Sequence, residues 1–347
     1  MHPTVDDPVD YRQIRPRDPL EMWLVQRWRE VLGFPVGIRD NFFGMGGNSL
    51  DAARVVNAVW EEFEIQLPLN VLTVNPEVEK LAAELRGLRA RLPGPLAAIQ
   101  YGEGTHPPLF LVHPVSGQVG PYCGLSYALG DEFAVFGLQA AGLYSDEEPL
   151  ETVPAMASRY VEALRSVDPA GPYCLGGCST GSMIAFEMAR QLVDSGSQVP
   201  LLAVIDPALV PGASTGRPRH DVPDAADVLF DMLVSPTGPE SAFRALSVTQ
   251  QAARVLDDWK AHEVVAENET TDFVRRARRV WQANDIAARS YSPDPYPGTI
   301  DVFRVAGSQS SDLDWCAVAP CRVHVCATDD EALGRQLRSR ITAEAHA

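Results

Sequence analysis

From residue 108 onward the chain alternates short apolar runs with helical segments: LFLVHP, FAVFGLQ, YCLGGC, LLAVID, TIDVFRV and RVHVCA, separated by stretches such as ALRSV and IAFEMARQLV. Runs that stay apolar on successive residues must be covered on both faces, and a mostly parallel sheet flanked by helices does that. The pattern predicts an α/β domain. Between Pro207 and Tyr296 lies a long, mainly helical insertion with no strand candidate, placed just before the fifth run. An insertion at the carboxyl end of such a strand overhangs the crevice where these sheets bind ligands, so a lid is expected over residues 208–290.

The first part of the chain has a different period. In PLEMWLVQRWREVLGF, the residues Leu20, Trp23, Leu24, Trp28, Val31 and Leu32 recur at helical spacing, and Gly33 suits a left-handed cap. A second helix is expected to open at Ser49, with Leu50, Ala53, Val56, Val59, Trp60 and Phe63 as its apolar stripe. Pro68 and Pro76 bracket short segments ahead of a last helix over residues 78–88. The stretch RGLRARLPGPLAAIQYGEGTHPP mixes arginine, glycine and proline without a period, which reads as a linker. The expected organisation is an N-terminal linker over 1–17, a helical domain over 18–88, a linker over 89–106 and an α/β domain over 107–347, within the two or three domains that 347 residues allow.

Charge and composition exclude several classes. A net charge of −17 without a Lys/Arg-rich tract lacks the basic footprint that nucleic-acid binding needs. No stretch is apolar for long enough to cross a membrane, and the start MHPTVDDPVDYRQIRPRD is acidic where a signal peptide is apolar, so a cytoplasmic protein without membrane partners is expected. Cys123, Cys174, Cys178, Cys316, Cys321 and Cys326 lie in apolar, strand-like surroundings without CxxC spacing, which argues for buried reduced thiols and against a metal site.

Two serines stand in glycine-flanked motifs. Ser49, in FFGMGGNSL, is placed at a helix N-terminus, where serine is a favoured cap and an anionic group is stabilised by free N–H groups and the helix dipole. From local chemistry alone, the plainer reading is a cap and no more. Ser179, in YCLGGCSTGSMIAFEMARQL, lies between a strand and an amphipathic helix, with Gly177 and Gly181 at the positions of a GxSxG nucleophile elbow. The bare motif is weak; its strand–turn–helix setting makes it specific.

Over residues 18–88, RDNFFGMGGNSL together with the preceding PRDPLEMWLVQRWREVLGF resembles the peptidyl carrier domain of nonribosomal peptide synthetases. That resemblance implies a four-helix bundle whose Ser49 receives 4′-phosphopantetheine from coenzyme A through a phosphopantetheinyl transferase, and whose arm carries an aminoacyl or peptidyl thioester. Upstream, DPVDYRQIRPR resembles the tail of an adenylation domain, but Pro8 stands where that family has its catalytic lysine. Loading by an adenylation or other synthetase domain in trans is therefore expected.

Residues 107–340 resemble the type I thioesterase that ends such synthetases, an α/β-hydrolase, in the segments PPLFLVHPVSG, GPYCLGGCSTGS, AFEMARQL, LLAVIDP and AARSYSPDPYPGTIDVFRV. The resemblance implies that Ser179 attacks the tethered thioester, that Asp206 is the triad acid, and that the amides of Thr180 and Val115 form the oxyanion hole. His113 matches a structural position beside that hole. The triad histidine is missing: in RVHVCATDDEALGRQLRSRI, Asp330 occupies its place after Asp329. His324 lies six residues upstream inside a strand, His220 and His262 in the lid, His106 in the linker, and His2 and His346 near the ends. Two readings stay open: a carrier–thioesterase that releases or transfers its chain through Ser179, and a carrier that presents a tethered amino acid to tailoring enzymes beside a catalytically impaired hydrolase-like domain.

Overall fold

The computed structural model describes residues 16–68, 70–88, 94–100, 102, 106–130, 132–145, 147–206, 224–266, 269–305, 315–327 and 329–344. It divides into two compact units, Met1–Leu92 and Pro93–Ala347.

In the first unit, α1 (Pro19–Leu32) starts where the Asp18 side chain accepts from the Glu21 amide, and it stops at Gly33 with φ 83°. Proline at the first helical position and glycine past the last give the helix its sharp limits. It is followed by α2 (Ser49–Phe63), a single turn α3 (Val71–Val74) and α4 (Val78–Gly87). Leu24, Trp28, Phe42, Val55, Leu72, Leu81 and Leu85 form their common core. Arg86 of α4 pairs with Asp18 and, at 3.0 Å, with Glu21, so the start of α1 is tied to α4. The buried face of α2 is turned from the expected stripe: Ala52, Val55, Val56 and Val59 face the core, while Leu50 and Trp60 are exposed. The pairs Ala52–Ala53 and Val55–Val56 allow either of two neighbouring stripes, and packing selects between them.

The second unit is a seven-stranded sheet in the order β1-β3-β2-β4-β5-β6-β7. Its strands are β1 (Leu96–Gln100), β2 (Leu109–Val112), β3 (Val135–Leu138), β4 (Cys174–Cys178), β5 (Leu201–Ile205), β6 (Ile300–Val305) and β7 (Cys321–Cys326). All neighbours are parallel except β1, which runs antiparallel to β3. Strand β1 lies within the stretch expected to be linker. Its five residues sit among Pro and Gly, and only pairing with β3 makes them a strand.

The sheet is covered by α5 (Cys123–Leu129), α6 (Val153–Val167), α7 (Thr180–Asp194) and α13 (Asp330–Glu344), with the short α12 (Trp315–Val318) ahead of β7. Phe110, Leu175, Leu202 and Val204 pack with Tyr160 of α6 and Phe186 of α7. Between β5 and β6 the described insertion is helical: α8 (Ala225–Asp231), α9 (Glu240–Arg244), α10 (Val248–Ala261) and α11 (Thr271–Ser290). Its apolar faces close on Val115, Ala140 and Leu143, which follow β2 and β3 at the carboxyl side of the sheet. Residues 207–223 of the expected lid lie outside the described residues. Four of the six cysteines are buried, but Cys316 is exposed and Cys321 half-buried, because α12 and β7 sit at the sheet's rim.

Candidate functional site

Ser49 is the first residue of α2, not its cap. Asn48 takes the cap: its Oδ1 accepts from the amides of Leu50 (2.8 Å) and Asp51 (3.1 Å), while Asp51 Oδ2 accepts from Asn48 N at 3.3 Å. This reciprocal box satisfies the first free amides of the helix. Ser49 is exposed, and its hydroxyl makes no hydrogen bond among the described residues. At Gly47 a Cβ would stand 2.5 Å from Phe42 Cε1, so the approach to Asn48 requires glycine. The expectation that Ser49 offers open capping amides is thus corrected. A phosphate ester on this hydroxyl would still meet the positive end of the helix dipole, which fits its charge.

Ser179 lies between β4 and α7 with φ 56° and ψ −124°, a region that a side chain normally avoids. Its flanking glycines are required by contact. A Cβ on Gly177 would lie 2.3 Å from Gly181 C, and one on Gly181 would lie 2.4 Å from the Val112 carbonyl and 2.6 Å from that of His113. The first turn of α7 therefore rests directly on the end of β2. The β2–β4 ladder ends at Val112–Gly177. Beyond it the Tyr122 phenol bridges the strands, donating to Val112 O (2.7 Å) and accepting from Cys178 N (3.0 Å).

Around this elbow the structure gathers the residues expected from the sequence. Thr180 opens α7 and Val115 follows β2; both are buried, and neither amide is paired among the described residues. The Val115 carbonyl accepts from Asn284 Nδ2 of α11 at 2.9 Å. Asp206 directly follows β5, the neighbour of β4, and is 6% exposed. Its amide donates to Phe303 O (2.8 Å), and its Oδ2 accepts from Val305 N (3.4 Å). Burial, and after it the Asp206 charge, push the Cys178 thiol far above its usual range, so this thiol next to the serine stays protonated.

Asp329 caps α13 through Ala332 N at 2.6 Å, and Asp330, at the position of the missing histidine, is the first helical residue. The four described histidines are engaged elsewhere. His113 is fully buried between Pro114 O and Tyr160 OH, each 2.7 Å away, and burial lowers it to about 4. His324 binds Asp301 Oδ1 at 2.7 Å and stacks on Phe303. His262 ends α10 with Nδ1 2.8 Å from Asp258 O, and His106 stacks on Phe133 at 4.6 Å. His220, His2 and His346 lie outside the described residues. Tyr122, Tyr160 and Asn284 were not legible in the sequence, since the backbone groups that Tyr122 and Asn284 hold and the imidazole that Tyr160 meets are brought near only in the folded chain.

Comparison with known proteins accords with this geometry. The chain is 37% identical over 224 residues to a dimodular nonribosomal peptide synthase of Bacillus subtilis (strain 168), a match covering 63% of the chain and 9% of that protein. It is 35% identical over 235 residues to an indigoidine synthase of Dickeya dadantii (strain 3937), covering 65% of the chain and 16% of the relative. The chain thus spans a small fraction of these relatives. A crystal structure of holo-AB3403, a four-domain nonribosomal peptide synthetase bound to AMP and glycine, matches with a TM-score of 0.80 at 27% identity, covering all of this chain and 27% of the other. Residues 23–85 match the phosphopantetheine attachment site and residues 107–311, more than half of the chain, the thioesterase domain. The chain belongs to the thioesterase domain family and carries, ahead of that domain, a carrier domain for covalently attached 4′-phosphopantetheine.

Proposed function

We propose that Ser49 holds the phosphopantetheine arm and that Ser179 takes the acyl group from it, so that the chain ends a nonribosomal peptide assembly by release or transfer. The arm supplies a thiol that carries the acyl group as a thioester. Ser179 Oγ attacks the thioester carbonyl, the carbon–sulfur bond breaks and the serine proton goes to the departing sulfur, which leaves as the free thiol of the arm. The ester on Ser179 then passes its acyl group to water, an amine or an internal hydroxyl of the chain, whose proton returns to Ser179 Oγ. The Thr180 and Val115 amides meet the charge that develops on the carbonyl oxygen, each contributing about 3 kcal/mol in sites of this type. Asp206 is the acid that would orient the base.

The observation that carries this reading is the backbone of Ser179. A non-glycine residue held at φ 56° between two glycines that no side chain could replace is strain of the kind that persists at working sites. The helices of the insertion, packed on the Val115 segment, serve as the lid, and α1 to α4 as the carrier bundle. Phosphopantetheinylation draws on coenzyme A, so a transferase and an adenylating domain are the partners, in the cytosol. No helix among the described residues is long and apolar enough to cross a membrane.

The test loads Ser49 with an acyl-phosphopantetheine and follows the intact mass with Ser179 or with Ser179→Ala. Faster acyl loss with Ser179 is expected, with acyl appearing on the peptide that contains it. Equal, slow loss in both would sink the reading and leave a carrier that only presents its cargo.

A further inference from the structure

His113 is buried next to the expected oxyanion loop, yet the triad chemistry gives it no task. Its two ring nitrogens have unlike partners: Nδ1 lies 2.7 Å from the Pro114 carbonyl, and Nε2 lies 2.7 Å from the Tyr160 hydroxyl. A carbonyl only accepts, so Nδ1 carries the proton. Nε2 of the neutral ring is then an acceptor, and Tyr160 donates to it. Burial keeps the ring neutral, its pKa lowered to about 4, and keeps Tyr160 protonated.

The carbonyl that His113 holds belongs to the peptide unit joining Pro114 to Val115. In a trans peptide the carbonyl and the amide N–H point in opposite directions, and among the described residues the cis bond is Gly171–Pro172. Holding Pro114 O therefore fixes the direction of Val115 N–H. The next carbonyl, that of Val115, is held by Asn284 Nδ2 at 2.9 Å. The peptide units on both sides of Val115 are thus anchored through buried side chains, one from β2's own end and one from α11.

We infer that Tyr160 and His113 form a positioning pair that aims the Val115 amide at the acyl oxygen, Tyr160 setting the imidazole tautomer and His113 setting the peptide plane. The inference rests on the proposed role of Ser179 and Val115. It makes His113 a positioning residue for the oxyanion hole and removes it as a candidate for the missing base.

The experiment uses the full chain and an alkyl fluorophosphonate, which bonds to Ser179 Oγ as fluoride and the serine proton leave, placing a strongly polarised phosphoryl oxygen in the hole. Labelling is read by intact-protein mass. Tyr160→Phe is expected to lower the maximal labelling rate ~10- to 100-fold at unchanged half-saturation, whereas Tyr173→Phe, which loses a phenol bond to Asp168 O away from the elbow, stays within about twofold. Imidazole nitrogen shifts should place the His113 proton on Nδ1 in the wild type and show mixed tautomers in Tyr160→Phe. Equal labelling of wild type and Tyr160→Phe, or a wild-type proton on Nε2, overturns the inference while leaving Ser179 as nucleophile. A wild type that does not label overturns the Ser179 reading, and this one with it.

Discussion

Both serines stand at the start of a helix shortly after a pair of glycines, Ser49 as the first residue of α2 and Ser179 as the residue before α7, and their surroundings free the hydroxyl by opposite means. At Ser49 the neighbour does the capping: Asn48 has extended backbone, φ −120°, and its side chain serves the helix amides, leaving a relaxed and exposed serine. At Ser179 the serine itself stands in the cap position at φ 56°, with no side-chain cap bond, wedged against β2 by glycines on either side. An attachment point must be reached by another enzyme, so it is presented on an unstrained surface turn. On the role proposed for Ser179, a nucleophile that must meet fixed oxyanion donors is served by a backbone that resists displacement.

The largest effects separate the two sites outright. With coenzyme A and a phosphopantetheinyl transferase, Ser49→Ala should gain no mass and Ser179→Ala should gain the full arm; a modified Ser49→Ala would break the comparison. Next, Asp330→His should raise acyl loss by ~10²- to 10⁴-fold, the usual worth of a placed general base, because a carboxylate is a feebler base toward a hydroxyl than an imidazole. An unchanged rate would mean that the second site lacks more than its base.

Glycine substitution should cost the two turns unequally. Gly177→Ala drives a Cβ into Gly181 backbone and should destabilise the second unit by about 3 kcal/mol, against about 1 kcal/mol in the first unit for Gly46→Ala, where φ is 99° but nothing lies within 4 Å. Denaturant unfolding followed separately for the two units reads both.

His113 sharpens the contrast through pH. Above pH ~6.5 the imidazole is neutral folded or unfolded and contributes no pH dependence. Below it the unfolded chain binds the proton first, because the folded pKa is lowered to about 4. Stability therefore falls as pH drops from ~6.5 to ~4, by up to about 3 kcal/mol, and levels off below. His113→Gln should flatten that slope in the second unit; an unaltered slope would show that the ring is not held neutral. The smallest effect is at the carrier serine: Asn48→Ala should cost about 1 kcal/mol in the first unit and leave Ser49 modifiable.

Much of the fold was legible because it is periodic. Apolar runs announced β2 to β7, buried throughout in β2 to β5 but not in β7, an edge strand whose Val323 and Val325 are exposed, and Gly33 marked the end of α1. What escaped was decided by small margins or by distant partners. Asn48 and Ser49 are both good caps, and the choice fell to Asn48 because Asp51 stands three residues after it and closes the box. The LAAIQ segment became β1 only through its pairing with β3. The stripe of α2 turned toward Val55 because packing, not period, chose between adjacent faces.

By itself the sequence determined the two-part organisation, the mostly parallel sheet, the two serines in their turns and the absence of a histidine at position 330, because local pattern and residue type suffice for each. Only the tertiary structure decided that Tyr122 ties the elbow to β2, that Asn284 reaches Val115 from α11, and that His113 turns to Pro114 and His324 to Asp301. The Tyr122 and Asn284 bonds reach backbone atoms far away in the chain, which carry no signature in a sequence, while the His324–Asp301 pair needs β6 and β7 side by side and the turn of His113 to its neighbour needs the burial that only the folded chain supplies.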